Sequence, residues 1–423
     1  MSKQKLTKPN QQIKLNFNGM PEGEFDIDYL MASLKMEYRA LTLSAGALVV
    51  EAIMRAESEK LAGNPYARNT EIDRWGTESG YAVMGGQKIQ VTRQRLRDKQ
   101  KKEIHLTSYE KFQEENRRTQ AVFNRLVAGV STRQYANTVE EFGKGYGISK
   151  SVISRKTVEV TAKELKSLCE RDLSKLGICV LVIDGVHVGE TVQIVALGVE
   201  TSGKKHILGI RQGATENSHV CKELFEDMEQ RGLTAHHPML VIIDGSKALR
   251  AAVDRFFGKR AAVQRCQFHK CSNVISHLPE HYHAEYARKI ASAYSMTSYD
   301  DAKRELERII VQLKNINESA ARSLEEGLEE TLTVHRLQLP GNLRKSFSTS
   351  NLIESAFSQG SAVMRNVKRW SNNNQVQRWT ATSLLQAEKK FRKVRGYKSM
   401  SVLLPALEMY LLDKGIDTMQ RVA

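Results

Sequence analysis

Two short apolar runs, Gly177-Ile-Cys-Val-Leu-Val-Ile183 and Met239-Leu-Val-Ile-Ile243, lead into the same tripeptide, Ile-Asp-Gly. A run of this length with no polar interruption suits a strand buried on both faces. Such a strand belongs at the centre of a sheet covered by helices on either side. The surrounding sequence fits that sheet. Thr191–Glu200 and Lys205–Arg211 read as two further strands, Val220–Arg231 and Lys247–Phe257 as helices, and Ala261–Arg265 as a short strand. The predicted order is three strands, helix, strand, helix, strand. In such α/β sheets, sites assemble at strand ends.

The flanks differ in period. Residues 26–62 carry Leu30, Leu34, Leu41, Leu48, Ile53 and Leu61 at roughly helical spacing. Residues 64–106 alternate, contain Gly85-Gly86 and predict a β-hairpin. Its Lys88, Arg93, Arg95 and Arg97 suit either a solvated strand or a nucleic-acid backbone. From 109 to 168 the pattern is helical again. A helix over 132–142 breaks at Gly143, Gly145 and Gly147, and Ser149 then opens a helix bearing Lys150, Ser151, Ser154, Arg155 and Lys156. That is the layout of a helix-turn-helix whose polar residues can reach base edges, and equally of an ordinary helical hairpin. Residues 277–338 read as all helical, and Ser401–Leu412 as an amphipathic packing helix. The predicted organisation starts with a helical and β-hairpin region (1–108) and a helix-turn-helix-like DNA-binding region (109–172). An α/β core follows in two parts (173–276 and 342–398), interrupted by an all-α insertion (277–341), and a C-terminal helix (399–423) ends the chain.

Charge narrows the partner. With 64 Lys and Arg against 48 Asp and Glu, the 423-residue chain has a net charge of +16. That excess favours a polyanion, either nucleic acid or an anionic membrane surface. The best apolar stretch, Leu41–Met54, is broken by Ser44 and Glu51 and is too short to span a bilayer. The N-terminal MSKQKLTKPNQQ has no apolar signal region. Five scattered cysteines argue for reduced thiols and a cytoplasmic protein, to which DNA is more accessible than a membrane. Between Asn342 and Lys398, twelve Lys or Arg stand against two acids, Glu354 and Glu388, giving +10 of the +16. Glu354 is thus an acid in a basic tract, at the start of a helix capped by one of Ser348, Thr349 or Ser350.

Asp-Gly is a common turn, so either tripeptide alone reads as structural. Two of them on the two most apolar strands, together with Glu354, read as a site. Asp184, Asp244 and Glu354 are separated by 60 and 110 residues. The strand order is that of a ribonuclease-H-like fold, with the first acid on strand one, the second after strand four and the third on a helix beyond strand five. Converging carboxylates repel unless neutralised. Hard oxygen donors select Mg²⁺ or Mn²⁺, and two such ions activate a nucleophilic oxygen and stabilise the leaving oxygen of a phosphodiester.

At this point the residues resemble the Mutator-type family of bacterial insertion-sequence transposases. The matching stretches are Ile183-Asp184-Gly185-Val-His-Val-Gly-Glu, Gly213-Ala-Thr-Glu-Asn217, Ile243-Asp244-Gly245-Ser-Lys-Ala-Leu249, Gln264-Arg-Cys-Gln-Phe-His269, Ser350-Asn-Leu-Ile-Glu354-Ser, Arg365-Asn-Val-Lys-Arg-Trp370 and Gln377-Arg-Trp-Thr-Ala-Thr382. They run in order over roughly residues 80–398. The resemblance implies that Asp184, Asp244 and Glu354 are the metal-binding catalytic triad, that a helical insertion occupies 270–341, and that the Cys-x-x-His signature falls on Cys266 and His269. It implies binding of double-stranded terminal inverted repeats and cleavage at element ends to expose a 3′-hydroxyl. Strand transfer into target DNA follows, by a homodimer or larger assembly. It also implies a basic residue about two turns after the glutamate; here Gln359-Gly-Ser-Ala362 is small and neutral, and Arg365 is the first cation.

Other residues carry two readings. Cys266 and His269, with Cys271 nearby, can begin a zinc site, but no partner pair stands at suitable spacing, which leaves packing or support of the active site. His187 lies an odd step from Asp184 along a strand, hence on the other face unless a turn follows Gly185. Trp370 and Trp379 suit stacking on an extruded base or core packing. Lys368, Arg369 and Arg378 suit phosphate contacts. Two rival functions remain at the level of sequence. Another ribonuclease-H-like nuclease would cut without joining, and an inactive or domesticated transposase would bind DNA without chemistry.

Overall fold

The computed structural model describes residues 27–66, 71–84, 87–128, 149–214, 217–235, 237–365, 367, 369–370 and 372–416. The chain divides into two compact units, Met1–Val160 and Thr161–Ala423. In the first, helix α1 (Ile27–Ala62) packs Val50 and Met54 onto Ala82, Ile89, Val91 and Leu96 of a hairpin. Its antiparallel strands are β1 (Ile72–Met84) and β2 (Gln87–Asp98), and β3 (Glu103–Ile104) extends it beside β2. The predicted hairpin is therefore present; Gly85 and Gly86 lie outside the described residues. Its cations are engaged within the hairpin. Arg93 pairs with Glu78 at 3.0 Å and Glu103 at 3.2 Å, and Arg97 lies over the Trp75 ring.

Two helices follow, α2 (Thr107–Phe112) and α3 (Glu115–Val127). The predicted helix over 132–142 and its glycines lie outside the described residues. The helix predicted after Ser149 is α4 (Lys150–Cys169). Ile153, Thr157 and Val160 form its buried stripe, while Lys150, Ser151, Ser154 and Arg155 are exposed.

The second unit is built on a mixed five-stranded sheet of β4 (Ile178–Val188), β5 (Thr191–Glu200), β6 (Lys205–Gly213), β7 (Met239–Ile243) and β8 (Ala261–Arg265), in the order β6-β5-β4-β7-β8. β4, β5 and β6 are antiparallel; β7 and β8 run parallel to β4. Helices α5 (Ser218–Gln230) and α6 (Lys247–Phe257) supply the connections that parallel pairing requires.

After α7 (Gln267–Ser276) comes a helical stretch of α8 (Glu280–Ser295), α9 (Tyr299–Lys314), α10 (Glu318–Glu325), α11 (Leu328–Thr331) and α12 (Thr333–Arg336). It has its own core around Ile290, Leu306, Ile309 and Leu324. It is fastened to β8 where Arg265 pairs with Glu330 at 2.6 Å and Gln264 binds Thr331 O at 2.8 Å. The chain then forms α13 (Gly341–Phe347), α14 (Asn351–Met364), α15 (Asn373–Glu388) and α16 (Leu403–Asp413). Leu403, Leu407 and Leu411 of α16 are buried, as a packing helix requires.

The sheet separates two cores. Leu181 and Ile183 of β4 and Val241 and Ile243 of β7 face Leu224, Phe225, Leu249 and Val253. Val180 and Val182, with Leu240 and Ile242, join Ile353 and Ala356 of α14 on the other face. Alternation then places the next even position of β4, Asp184, on the α14 side, while Asp244 directly follows the end of β7. Among the described residues, no helix is long and apolar enough to cross a membrane.

Candidate active site

The two Ile-Asp-Gly tripeptides are not equivalent. Around Asp184 the strand does not stop. Asp184 pairs with Val195 and Gly185 with Ile194, and β4 continues to Val188. The expected strand end at Asp184 is thus corrected, because β5 offers backbone partners beyond it. At Asp244 the strand does end. Gly245 takes φ +110°, a backbone that favours glycine, and Ser246 caps α6 by accepting from Leu249 N at 3.3 Å. The parallel register pairs Ile183 with Ile243, so the aspartates that follow are neighbours at one level of the sheet.

Glu354 lies in the first turn of α14. Ser350 is the residue before that helix, but its hydroxyl does not cap the backbone; it donates to Glu354 Oε1 at 2.6 Å. A bracket surrounds this contact. Cys266 N donates to Ile243 O at 2.8 Å, continuing the β7–β8 ladder by one residue, and Gln267 N donates to Ser348 O at 3.0 Å. Cys266 Sγ accepts from Ser350 N at 3.3 Å. His269 places Nδ1 3.5 Å from Ser350 Oγ and Nε2 3.8 Å from Glu354 Oε1. The strand end that carries Cys266 therefore positions the helix start that carries Glu354.

Asp184, Asp244, His187 and His269 line one cleft of about 320 Å³. Asp184 is only 7% exposed. Burial pushes its carboxyl up to about 7, aided by the charges of Asp244 and Glu354 and opposed by His269 and the Gly185 N–H. His269 is pushed up to about 9, first by its hydrogen bond with Cys266 and then by the charges of Cys266, Asp184 and Glu354, against the effect of burial. Negative charge is thus in excess at this point, and without a cation the site takes up protons instead. Asp184 and Asp244 line this cleft, while Glu354 lies outside its lining and acts on Asp184 through its charge; all three offer the hard oxygen donors that Mg²⁺ or Mn²⁺ takes.

Among the described residues, Cys266, His269 and Glu354 bring ligand atoms within 4.8 Å of one another. Structural zinc takes four ligands, and Cys266 is fully buried and engaged by Ser350. This trio is better described as the bracket than as a second metal centre. The five cysteines are free thiols.

The remaining site expectations separate by exposure. Arg365 and Arg369 are exposed, and Trp370 is half-buried, its indole packed on the β4–β5 turn at Gly189. Lys368 lies outside the described residues. Arg378 and Trp379 are inside, at 8% and 7% exposure. Lys156 is half-buried and pairs with Glu159 at 3.1 Å. His187 lines the carboxylate cleft although β4 continues through it with no turn after Gly185. Within the neutral segment after Glu354, Gly360 has a packing reason, while its neighbours 359, 361 and 362 are exposed. A Cβ on Gly360 would stand 3.0 Å from Ser383 Oγ and 3.3 Å from Ser383 Cβ, so glycine lets α14 and α15 approach closely. The contact of Ser350 with Glu354 is not predictable from its place among three candidate caps or from its position at the head of the Ser350-Asn-Leu-Ile-Glu354-Ser stretch.

A family model described as Transposase, Mutator family matches residues 35–393. The chain is similar to the transposase for insertion sequence element IS6120 of Mycolicibacterium smegmatis, 29% identical over 54% of this chain and 71% of that protein. It is also similar to the transposase for insertion sequence element ISRM5 of Rhizobium meliloti, 27% identical over 72% of this chain and 77% of the relative. A third relative, the transposase for insertion sequence element IS256 in transposon Tn4001 of Staphylococcus aureus, is 26% identical over 59% and 64%.

Proposed function

Because the chain belongs to the Mutator family of transposases and is the transposase of an insertion sequence, we propose that Asp184, Asp244 and Glu354 are its catalytic carboxylates. The observation that carries this reading is the parallel register of β4 and β7, which pairs Ile183 with Ile243, so that the aspartates that follow both line one cleft. The mixed sheet, three antiparallel strands followed by two parallel ones, supports a ribonuclease-H-like core, with residues 277–341 as a helical insertion.

Two Mg²⁺ or Mn²⁺ ions held by these carboxylates would neutralise charge on the scissile phosphate and on the attacking and leaving oxygens. The chain's own residues do the rest. Asp184 sits within β4 and Asp244 directly follows β7, and each accepts a backbone hydrogen bond, from Gly185 N at 2.9 Å and Ser246 N at 2.8 Å. Those bonds orient one oxygen of each carboxylate. Ser350 does the same for Glu354. Preorganised charge of this kind is what in-line phosphoryl transfer asks of a protein.

The substrate is double-stranded DNA. The enzyme binds the terminal inverted repeats and cuts at the element end, where a water oxygen attacks phosphorus and the 3′-oxygen leaves as a hydroxyl. That hydroxyl then attacks a target phosphodiester. Exposed Lys150, Ser151, Ser154 and Arg155 of α4 suit end recognition, and Arg365 and Arg369 suit phosphate contact near the cut. Two ends must be joined in one event, so the working form is a homodimer or larger assembly. An assay with a pre-cut end and plasmid target tests the reading. We expect joined product with Mg²⁺; cutting without any joining would make the chain a nuclease instead.

A further inference from the structure

A second cavity, of about 380 Å³, adjoins the carboxylate cleft, and His187 lines both. Its walls are Val186, Phe357, Met364 and Leu384, and Trp370 closes one side. We propose that this cavity receives a single nucleobase extruded from the DNA beside the scissile phosphate, with the Trp370 indole as its stacking platform. The proposal rests on the transposase reading and adds a ligand site to it.

Four observations carry it. The first is place. His187 follows Asp184 by three strand residues, about 10 Å at strand rise. That is about three base steps of 3.4 Å along one strand of DNA, so a nucleotide next to the cut is within reach. The second is chemistry. DNA is phosphate, sugar and base, and only the base has a face that an aromatic and aliphatic lining accepts. The third is Trp370 itself. Its indole is held against the Gly189 turn, with ring carbons 3.5 and 3.6 Å from where a Cβ would stand, yet it remains half-buried rather than absorbed into the core. Trp379, nine residues on, is the core tryptophan. A ring packed on one side and partly exposed is what a stacking platform requires. The fourth is the polar lining. Ser361, Thr380 and Ser383 donate their hydroxyl hydrogens to the carbonyls of Ser358, Val376 and Thr380. What they have left to offer is lone pairs, which suit the N–H edge of a base. Arg365 also lines the cavity and places a cation where the phosphate of an extruded nucleotide would lie.

The small side chain at 361 keeps this cavity open. Ser361 is exposed on α14 and lines the cavity, so a larger residue there would fill it without disturbing the fold.

The experiment uses the full chain and a duplex carrying one inverted repeat taken from the DNA flanking the gene. Cleavage rates are measured for wild type, Trp370→Ala and Ser361→Leu. The duplexes are intact, or carry an abasic site at each of the three nucleotides on either side of the cut. Loss of base–aromatic stacking should slow Trp370→Ala about tenfold or more on intact duplex, and Ser361→Leu should be slowed as well. For both variants, an abasic site at one and the same position should restore most of the rate, because nothing then has to leave the duplex or enter the cavity. Wild-type rates on intact duplex for both variants would overturn the proposal, as would a loss that no abasic position relieves. If Trp370→Ala no longer binds the end, Ser361→Leu decides alone. Failure of wild type to cut any duplex would instead sink the transposase reading and the proposal with it.

Discussion

At the residue scale the site is a balance of charge. Asp184 is buried beside two other carboxylates and holds its proton up to about 7. A cation must displace that proton, so metal affinity should fall as pH drops below about 7, approaching tenfold per unit, and level off above it. Mn²⁺ titration followed by calorimetry at several pH values measures this; affinity unchanged between pH 5.5 and 8 would contradict it. The sign for stability follows from the same shift. The folded carboxyl is raised above its unfolded value, so the metal-free protein loses stability as pH rises from about 4 through about 7. Mg²⁺ should therefore raise Tm more at pH 8 than at pH 5.5. Ser350 is the other residue of consequence. Ser350→Ala removes the 2.6 Å hydrogen bond to Glu354 and should weaken metal binding or activity about tenfold to a hundredfold. Metal-free Tm should change little by comparison, and an unaltered metal affinity together with unaltered activity would remove Ser350 from the site. The carboxylates were legible in sequence because apolar runs mark their strands and a basic tract isolates Glu354. Ser350 was not, since a capping pattern names a hydroxyl without naming its acceptor.

At the scale of elements, apolar patterning located the strands well and their ends less well. β5, β7 and β8 fall where predicted, while β4 runs on through Asp184-Gly185 to Val188. A continuous apolar run says that a strand is buried; how far it continues depends on a neighbour's backbone, here residues 191–195 of β5. Gly360 is the converse case. In sequence it reads as a weak point in the Glu354 helix. In three dimensions it is a point of close contact between α14 and α15, at Ser383. Gly360→Val should therefore separate the two helices and destabilise the protein by about 1–3 kcal/mol, whereas Ser361→Ala on the exposed side should be near neutral. Denaturant melts of the two variants measure this, and equal stability would show that the contact is slack. Packing thus accounts for the glycine at 360 but not for the missing cation at 361, which is exposed.

At the scale of the whole molecule, the +16 charge is the broadest signal and the least specific. It called for a polyanion and could not say where one binds, because charge does not report which cations are already paired. The hairpin arginines illustrate this. Arg93 and Arg95 are committed to Glu78 and Glu103, whereas the α4 residues stay exposed. End binding should still be dominated by phosphate contacts. Raising salt from 50 to 200 mM should weaken it about a thousandfold, and a salt-independent affinity would point to a different mode of recognition. We propose that three carboxylates, from β4, the end of β7 and α14, carry out the strand chemistry. Mg²⁺-dependent cleavage of an inverted-repeat duplex by Asp184→Ala, Asp244→Ala and Glu354→Ala tests it most directly, with end binding measured in parallel by gel shift. All three variants should bind the end and none should cut it; cleavage at the wild-type rate by any one of them would contradict the assignment.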